Sequence, residues 1–241
     1  MKYNLKYFLF GGTLIGAVRH KGYIPWDDDI DIGMVQEVYI KFLEVAPKEL
    51  NDKYFLDDVK YNKYYYLWFA KVKKKGTLFV ENSSSNMKNI NKAIFVDIFP
   101  LGNTDKIDFK YKIRFYKFYL LQLMICAKNN MYNSLFGKFL KVLSLPFTTH
   151  YLTTQQVKTV LKNNNSKSKY IANFADLNVN NVYERTDLLP LKKVQFEGEK
   201  YYGFKDNDLF LTSVYGDYMT LPPVEKRVTH KPIAIEIIDE K

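Results

Sequence analysis

The chain has 241 residues and a formal net charge of +10, from 36 Lys and Arg against 26 Asp and Glu. Its 47% hydrophobic and 26% charged residues exclude a wholly disordered chain. Its one cysteine, Cys126, excludes an intrachain disulfide and a cysteine-based zinc site.

Tyr7–Phe10 predicts a first strand, and the opening residues hold too short an apolar run for a signal peptide. Gly11, Gly12 and Thr13 follow and open a short helix, Leu14–His20. Two adjacent glycines alone are most often a turn. Pro25-Trp26 reads as a turn, and then four carboxylates fall close together: Asp27, Asp28, Asp29 and Asp31. In Asp29-Ile30-Asp31-Ile32 the alternation puts both carboxylates on one face of a strand and both isoleucines on the other. Carboxylates that close resist joint ionisation unless a cation lies between them. A hard divalent ion suits such oxygen ligands, most simply Mg²⁺ with Mn²⁺ as the alternative, and Asp27 is a further candidate ligand. A calcium loop fits less well: Gly33 falls one place late, and Val38 stands where the closing Glu belongs.

Val35–Asn51 keeps Val38, Phe42 and Val45 at helical spacing, with Pro47 as an interruption or boundary. Tyr54–Leu56, Tyr64–Val72 and Thr77–Val80 read as strands, with a turn at Gly76. The aromatic run within Tyr64–Val72 reads as sheet core in preference to a cage for a quaternary amine. Asn82–Lys92 reads as a mobile polar loop beside the site. Ala93–Phe99 is the next strand, ended by Pro100. Asp97 is its only charge, and a buried carboxylate needs a partner. That partner is either a structural salt bridge or the rest of an acidic site.

Residues 106–162 read as amphipathic helices, with Ile113, Tyr116, Leu120, Leu123 and Ala127 at helical spacing. Phe136–Leu145 continues the pattern until Pro146. The uncharged run Phe118–Ala127 is far shorter than the about 20 residues a membrane span needs. Lysines around the apolar face allow an interfacial role; core helices with solvated lysines are the preferred reading. Residues 163–190 form a connection with a short strand at Tyr170–Phe174. Val194–Phe204 suggests a hairpin turning at Glu197-Gly198. Asp206–Tyr215 reads as a helix with Asp206 as N-cap and Gly216 as its stop.

The basic excess is mostly lysine. The four arginines are Arg19, Arg114, Arg185 and Arg227. That balance argues against a nucleic-acid binder, which favours dense arginine for bidentate contacts. Arg19 and Arg227 are candidates for phosphate recognition. His20 and Lys21, at the end of the first helix, are placed to grip phosphate or cap the helix. Histidine as a residue type titrates near neutrality, so His230 is a candidate general base or phosphate donor.

Three ordered blocks resemble the LicD family. They are Phe10–Ile32, Phe95–Leu101, and Tyr215–Met219 followed by Leu221-Pro222-Pro223, Glu225-Lys226-Arg227 and His230. The family holds bacterial phosphocholine transferases with the nucleotidyltransferase fold, and the fukutin-type ribitol-phosphate transferases are its relatives. Members usually carry a helical segment ahead of the glycine block, whereas this sequence reaches its first strand almost at once.

The resemblance implies an α/β (α+β) fold, a nucleotidyltransferase-like mixed sheet flanked by helices, with a largely helical C-terminal half. No linker-like composition breaks the chain, so one catalytic domain over 1–241 is expected, with the sheet core in 1–104 and the helical and C-terminal block in 105–241. The resemblance places Asp29, Asp31 and Asp97 at the metal, Asp97 completing the site or acting as base. It places Gly11, Gly12, Thr13, Arg19, His20, Lys21, Arg227 and His230 on substrate or phosphate. The implied donor is a CDP-linked small alcohol, and the implied acceptor is a hydroxyl of a cell-surface glycan or glycolipid precursor. Separately from the resemblance, the single cysteine suits a reducing cytoplasm, and the excess positive charge and lysine-flanked helices allow peripheral contact at the inner membrane face. Two rivals stand: a nucleotidyltransferase moving a nucleoside monophosphate from a triphosphate, and a non-catalytic basic protein bound to a membrane or polyanion.

Overall fold

The computed structural model describes residues 3–81, 85, 87, 89–132, 134–227 and 232–237. It shows a mixed α/β fold. β1 (Phe8–Leu9) leads into α1 (Gly11–Ile15), which continues as a π-helical turn over Gly16–His20. The helix starts ahead of the expected Leu14, because the Leu14 N–H already reaches the Phe10 carbonyl at 3.0 Å. β2 (Asp31–Val35) runs straight into α2 (Gln36–Glu49). Pro47 lies in the last turn of α2 without ending it. Its missing N–H would have bonded the Leu43 carbonyl, and the Tyr61 hydroxyl donates there instead, at 3.1 Å.

β3 (Tyr54–Asp57), β4 (Ala70–Lys74) and β5 (Thr77–Val80) follow. Residues 64–69, expected to be strand, are irregular. Tyr65 and Trp68 turn inward. Trp68 packs on Phe118 with ring centroids 5.3 Å apart, and Phe69 lies 4.1 Å from Phe99. High β-propensity reflects fit to a half-buried surface, and here the aromatics fill that surface without extending the ladder.

β6 (Phe95–Thr104) continues through Pro100, which was expected to stop it. The Asp97 N–H donates to Ile30 on the β2 side. Alternation therefore turns position 100 toward the opposite edge. On that edge β4 pairing ends at Ile98 and the next strand begins to pair only at Gly102. Pro100 sits in the gap, where no donor is needed.

Three helices come next: α3 (Phe109–Lys128), α4 (Leu135–Ser144) and α5 (Thr149–Val160), each N-capped by a side chain, from Asp108, Ser134 and Thr148. α3 buries Tyr111, Phe115, Phe118, Leu121 and Ile125, together with Cys126. The stripe Ile113, Tyr116 and Leu120, picked out by its spacing, faces solvent instead. α3 carries two apolar stripes of the same period, and period alone does not tell which is inside. The remainder is β7 (Tyr170–Ala172), β8 (Val182–Glu184), α6 (Arg185–Leu188), the hairpin β9 (Lys192–Phe196) and β10 (Glu199–Gly203), α7 (Asn207–Tyr215) and β11 (Ala234–Ile237). Asp206 caps α7 and Gly216 ends it, as expected.

The main sheet has the order β1-β2-β6-β4-β3, with β7 and then β8 continuing from the far end of β6. β2 and β6 are parallel; the other pairs are antiparallel. On one face, Met34, Ala70 and Ile98 meet Tyr39, Phe42 and Ala46 of α2. A second cluster joins Phe8, Phe10, Leu14 and Leu101 to Phe204, Phe210 and Leu211 near the other end of the chain.

Candidate active site

Parallel pairing sets Asp31 directly opposite Asp97, and antiparallel pairing sets Asp97 opposite Lys71. Facing residues share a sheet face, so a row of two carboxylates and an ammonium crosses β2, β6 and β4. Asp29 stands just before β2 rather than inside it. Carboxylate oxygens of Asp29, Asp31 and Asp97 all lie within 4.8 Å of one another. Asp97 is buried, and its Oδ1 is 3.0 Å from the Lys71 ammonium. Lys71 also lies 4.0 Å from Glu81, and its charge sits over the Phe95 ring, 3.2 Å from the centroid.

Burial is the first cause that pushes Asp97 up to about 6, with Asp29 and Glu81 adding to it against the pull of Lys71. Burial, then Asp29, Asp97 and Asp27, holds the Asp31 carboxyl well above the usual range, again against Lys71. A cation among the three carboxylates would relieve this crowding. The donor set is all oxygen, so the residues fit a hard divalent ion.

The glycine turn is shaped around these carboxylates. Gly11 has φ +52°, and a Cβ there would stand 2.5 Å from Oδ2 of Asp31. A Cβ on Gly12 would stand 2.6 Å from Oδ2 of Asp27. Thr13 Oγ1 accepts from the Asp31 N–H at 2.9 Å, and the Phe10 N–H donates to the Asp31 carbonyl at 3.0 Å. The first turn of α1 and the start of β2 thus hold each other in place.

A second group gathers at the end of the π turn. The Arg19 guanidinium donates to the Tyr218 carbonyl and, through Nε, to His20 Nε2 at 3.0 Å. Burial and then the Arg227 charge lower the Arg19 pKa; burial and then Arg19 lower that of His20. His20 accepts at Nε2 as a neutral ring. The Arg227 guanidinium stacks 4.7 Å from the Trp26 ring centroid, and His20 meets the same indole edge-on. Trp26 immediately precedes Asp27, so this basic group borders the acidic one along the chain. Lys21 is exposed and donates to the Val18 carbonyl at 3.1 Å, closing the helix end. His230 lies outside the described residues, as does part of the expected 82–92 loop.

Lys71 and Trp26 were not picked out as site residues from the sequence. Lys71 alternates with Ala70 and Val72, and such alternation ordinarily marks a wet face. Lys73 makes the same inward use of charge, pairing with Asp57 at 2.7 Å. Trp26 was read only as part of a turn.

The LicD/FKTN/FKRP nucleotidyltransferase domain model matches residues 4–126. The lipopolysaccharide cholinephosphotransferase LicD of Haemophilus influenzae is 28% identical over 240 residues, covering 95% of this chain and 88% of that protein. Human ribitol 5-phosphate transferase FKRP is 52% identical over 34 residues, 14% of this chain and 7% of that protein. An uncharacterized protein of Rickettsia typhi is 47% identical over 66 residues, 27% of this chain and 20% of that protein. The matched domain takes in the glycine turn, the Asp29–Asp31 run and Asp97 together, and on that match over more than half its length the chain belongs to the LicD family.

Proposed function

We propose that the protein is a transferase that moves a phospho-alcohol group, phosphocholine or a close analogue, from a CDP-linked donor to a sugar hydroxyl of a cell-surface glycan or glycolipid precursor, releasing CMP. The observation that carries this reading is the Asp29, Asp31 and Asp97 cluster beside the glycine turn, in a chain whose relatives are named as phospho-alcohol transferases. We read residues 1–241 as one catalytic domain, acting in the cytoplasm at the inner membrane face.

Asp29, Asp31 and Asp97 would hold Mg²⁺, or Mn²⁺ in its place, with Asp27 as a possible further ligand. The ion, when bound, supplies charge neutralisation at the phosphate oxygens. The backbone of Gly11, Gly12 and Thr13 offers N–H groups to the pyrophosphate, where a helix start favours anions. Arg19 and Arg227 grip phosphate, with Trp26 holding the Arg227 plane; His20 and Lys21 line the edge of that grip, and we assign His230 to it as well. Asp97, paired with Lys71, either completes the metal site or takes the proton from the acceptor hydroxyl. The freed oxygen attacks the phosphorus that bears the alcohol. The bond from that phosphorus to the bridging oxygen breaks, and CMP leaves with the bridging oxygen. Catalysis on this scheme comes from positioning and electrostatics.

A ³¹P NMR assay with Mg²⁺, CDP-choline and other CDP-alcohols tests it. Metal-dependent CMP release, lost in Asp29→Ala, is expected. Pyrophosphate released from a nucleoside triphosphate would replace this reading with nucleotidyl transfer. Full turnover in Asp29→Ala or Asp31→Ala would remove the assigned site.

A further inference from the structure

Residues 109–175 contain ten lysines, one arginine and no Asp or Glu. The net charge of the whole chain is +10, so everything outside this segment is close to neutral. The same segment turns apolar side chains toward water. α4 buries only Gly137, Leu140 and Ser144. It presents outward Leu135 at 85% exposure, Phe139 at 62% and Val142 at 64%, with Phe136 and Leu143 beside them. α3 adds Phe109, Ile113, Tyr116 and Leu120, all exposed and spaced along one helical stripe.

Between α3 and α5 runs a groove of about 300 Å³ lined by Lys110, Arg114, Lys117, Lys158 and Lys162, with no carboxylate in its lining. Arg114 donates to the Asn103 carbonyl at 2.9 Å through Nη1, while its buried Nε and Nη2 make no hydrogen bond.

A second copy of this chain is a poor occupant of the face, because it would bring the same positive charge against it. Apolar side chains interleaved with exposed lysines such as Lys138 and Lys141 match an anionic bilayer, where the former enter the acyl boundary and the latter reach the headgroup phosphates. No described helix is long and apolar enough to cross a membrane. We propose that α3, α4 and α5 form a docking surface for an anionic lipid bilayer, with α4 lying in the interface and the basic groove receiving lipid phosphate. Vesicle binding needs neither donor nor metal, so its outcome is separate from that of the transferase reading.

The full chain is sedimented with vesicles of phosphatidylcholine alone and of phosphatidylcholine mixed with phosphatidylglycerol. Binding to the mixed vesicles, weakened by added salt, is expected. Leu135→Glu with Phe139→Glu should weaken it by about tenfold or more. Lys158→Glu with Lys162→Glu should remove the preference for anionic lipid. All four side chains are on the surface segment, and unchanged melting temperatures will show that the variants fold. Equal partition onto both vesicle types, no binding at all, or a dimer in solution that Phe139→Glu dissolves would each overturn the proposal.

Discussion

Asp31 and Asp97 face each other across one parallel strand pair, and removing the charge of Asp31 or the cation beside Asp97 is expected to act in opposite directions. In metal-free protein, Asp31→Asn relieves crowding among carboxylates and should raise the melting temperature. Lys71→Met leaves buried Asp97 without its cation and should destabilise by about 3–5 kcal/mol at pH 7. Melts in chelator distinguish the two, and a lower melting temperature for Asp31→Asn would contradict the electrostatic account. The pH dependence follows from the same group. A carboxyl raised from 3.8 to about 6 on folding binds its proton more tightly in the native state. Its contribution to stability is therefore full below pH 4 and falls as pH rises through 6. The loss is roughly 3 kcal/mol, since each pKa unit is worth 1.36 kcal/mol. Urea midpoints measured in chelator across that range should show the decline, and the double variant Lys71→Met, Asp97→Asn should make it shallower.

At the scale of the element, the glycine turn and β2 form one unit. Gly11→Ala would put a methyl against Asp31 in a left-handed backbone, at a cost of about 1–2 kcal/mol from the backbone alone. Turnover should fall further than stability does, because the displaced group is the Asp31 carboxylate; a fully active Gly11→Ala would break the link between turn and site. This unit was legible in the sequence because everything in it is local: adjacent glycines, a two-residue alternation of carboxylates, and a lone charge in an apolar strand. Lys71 was not legible. Its meaning depends on the β4–β6 register, which no local pattern encodes, and a lysine alternating with apolar residues looks the same whether its face is wet or dry. Pro100 and the two stripes of α3 misled for a related reason. A proline stops a ladder only if a partner waits on its N–H side, and a stripe is core only if something packs on it.

At the scale of the whole molecule, residues 8–26 and 204–227 meet around the site. The Phe8 ring lies 4.4 Å from Phe204, and Phe10 lies 5.5 Å from Phe210. Arg19 reaches Tyr218, and Arg227 reaches Trp26. Arg227→Ala should therefore raise the donor KM by about tenfold while leaving kcat less affected, as expected for a lost charged hydrogen bond of about 1.5–3 kcal/mol; an equal fall in kcat would move Arg227 from binding to the chemical step. This closure also bears on how the protein is made. A chain leaving the ribosome exposes Phe8, Leu9 and Phe10 nearly two hundred residues before Phe204, Phe210 and Leu211, so the earlier aromatic side chains must wait uncovered while the intervening residues are made. Chaperone dependence during translation, and insolubility of chains that stop short of Phe204, are the expected marks of a core whose early and late pieces are one another's cover.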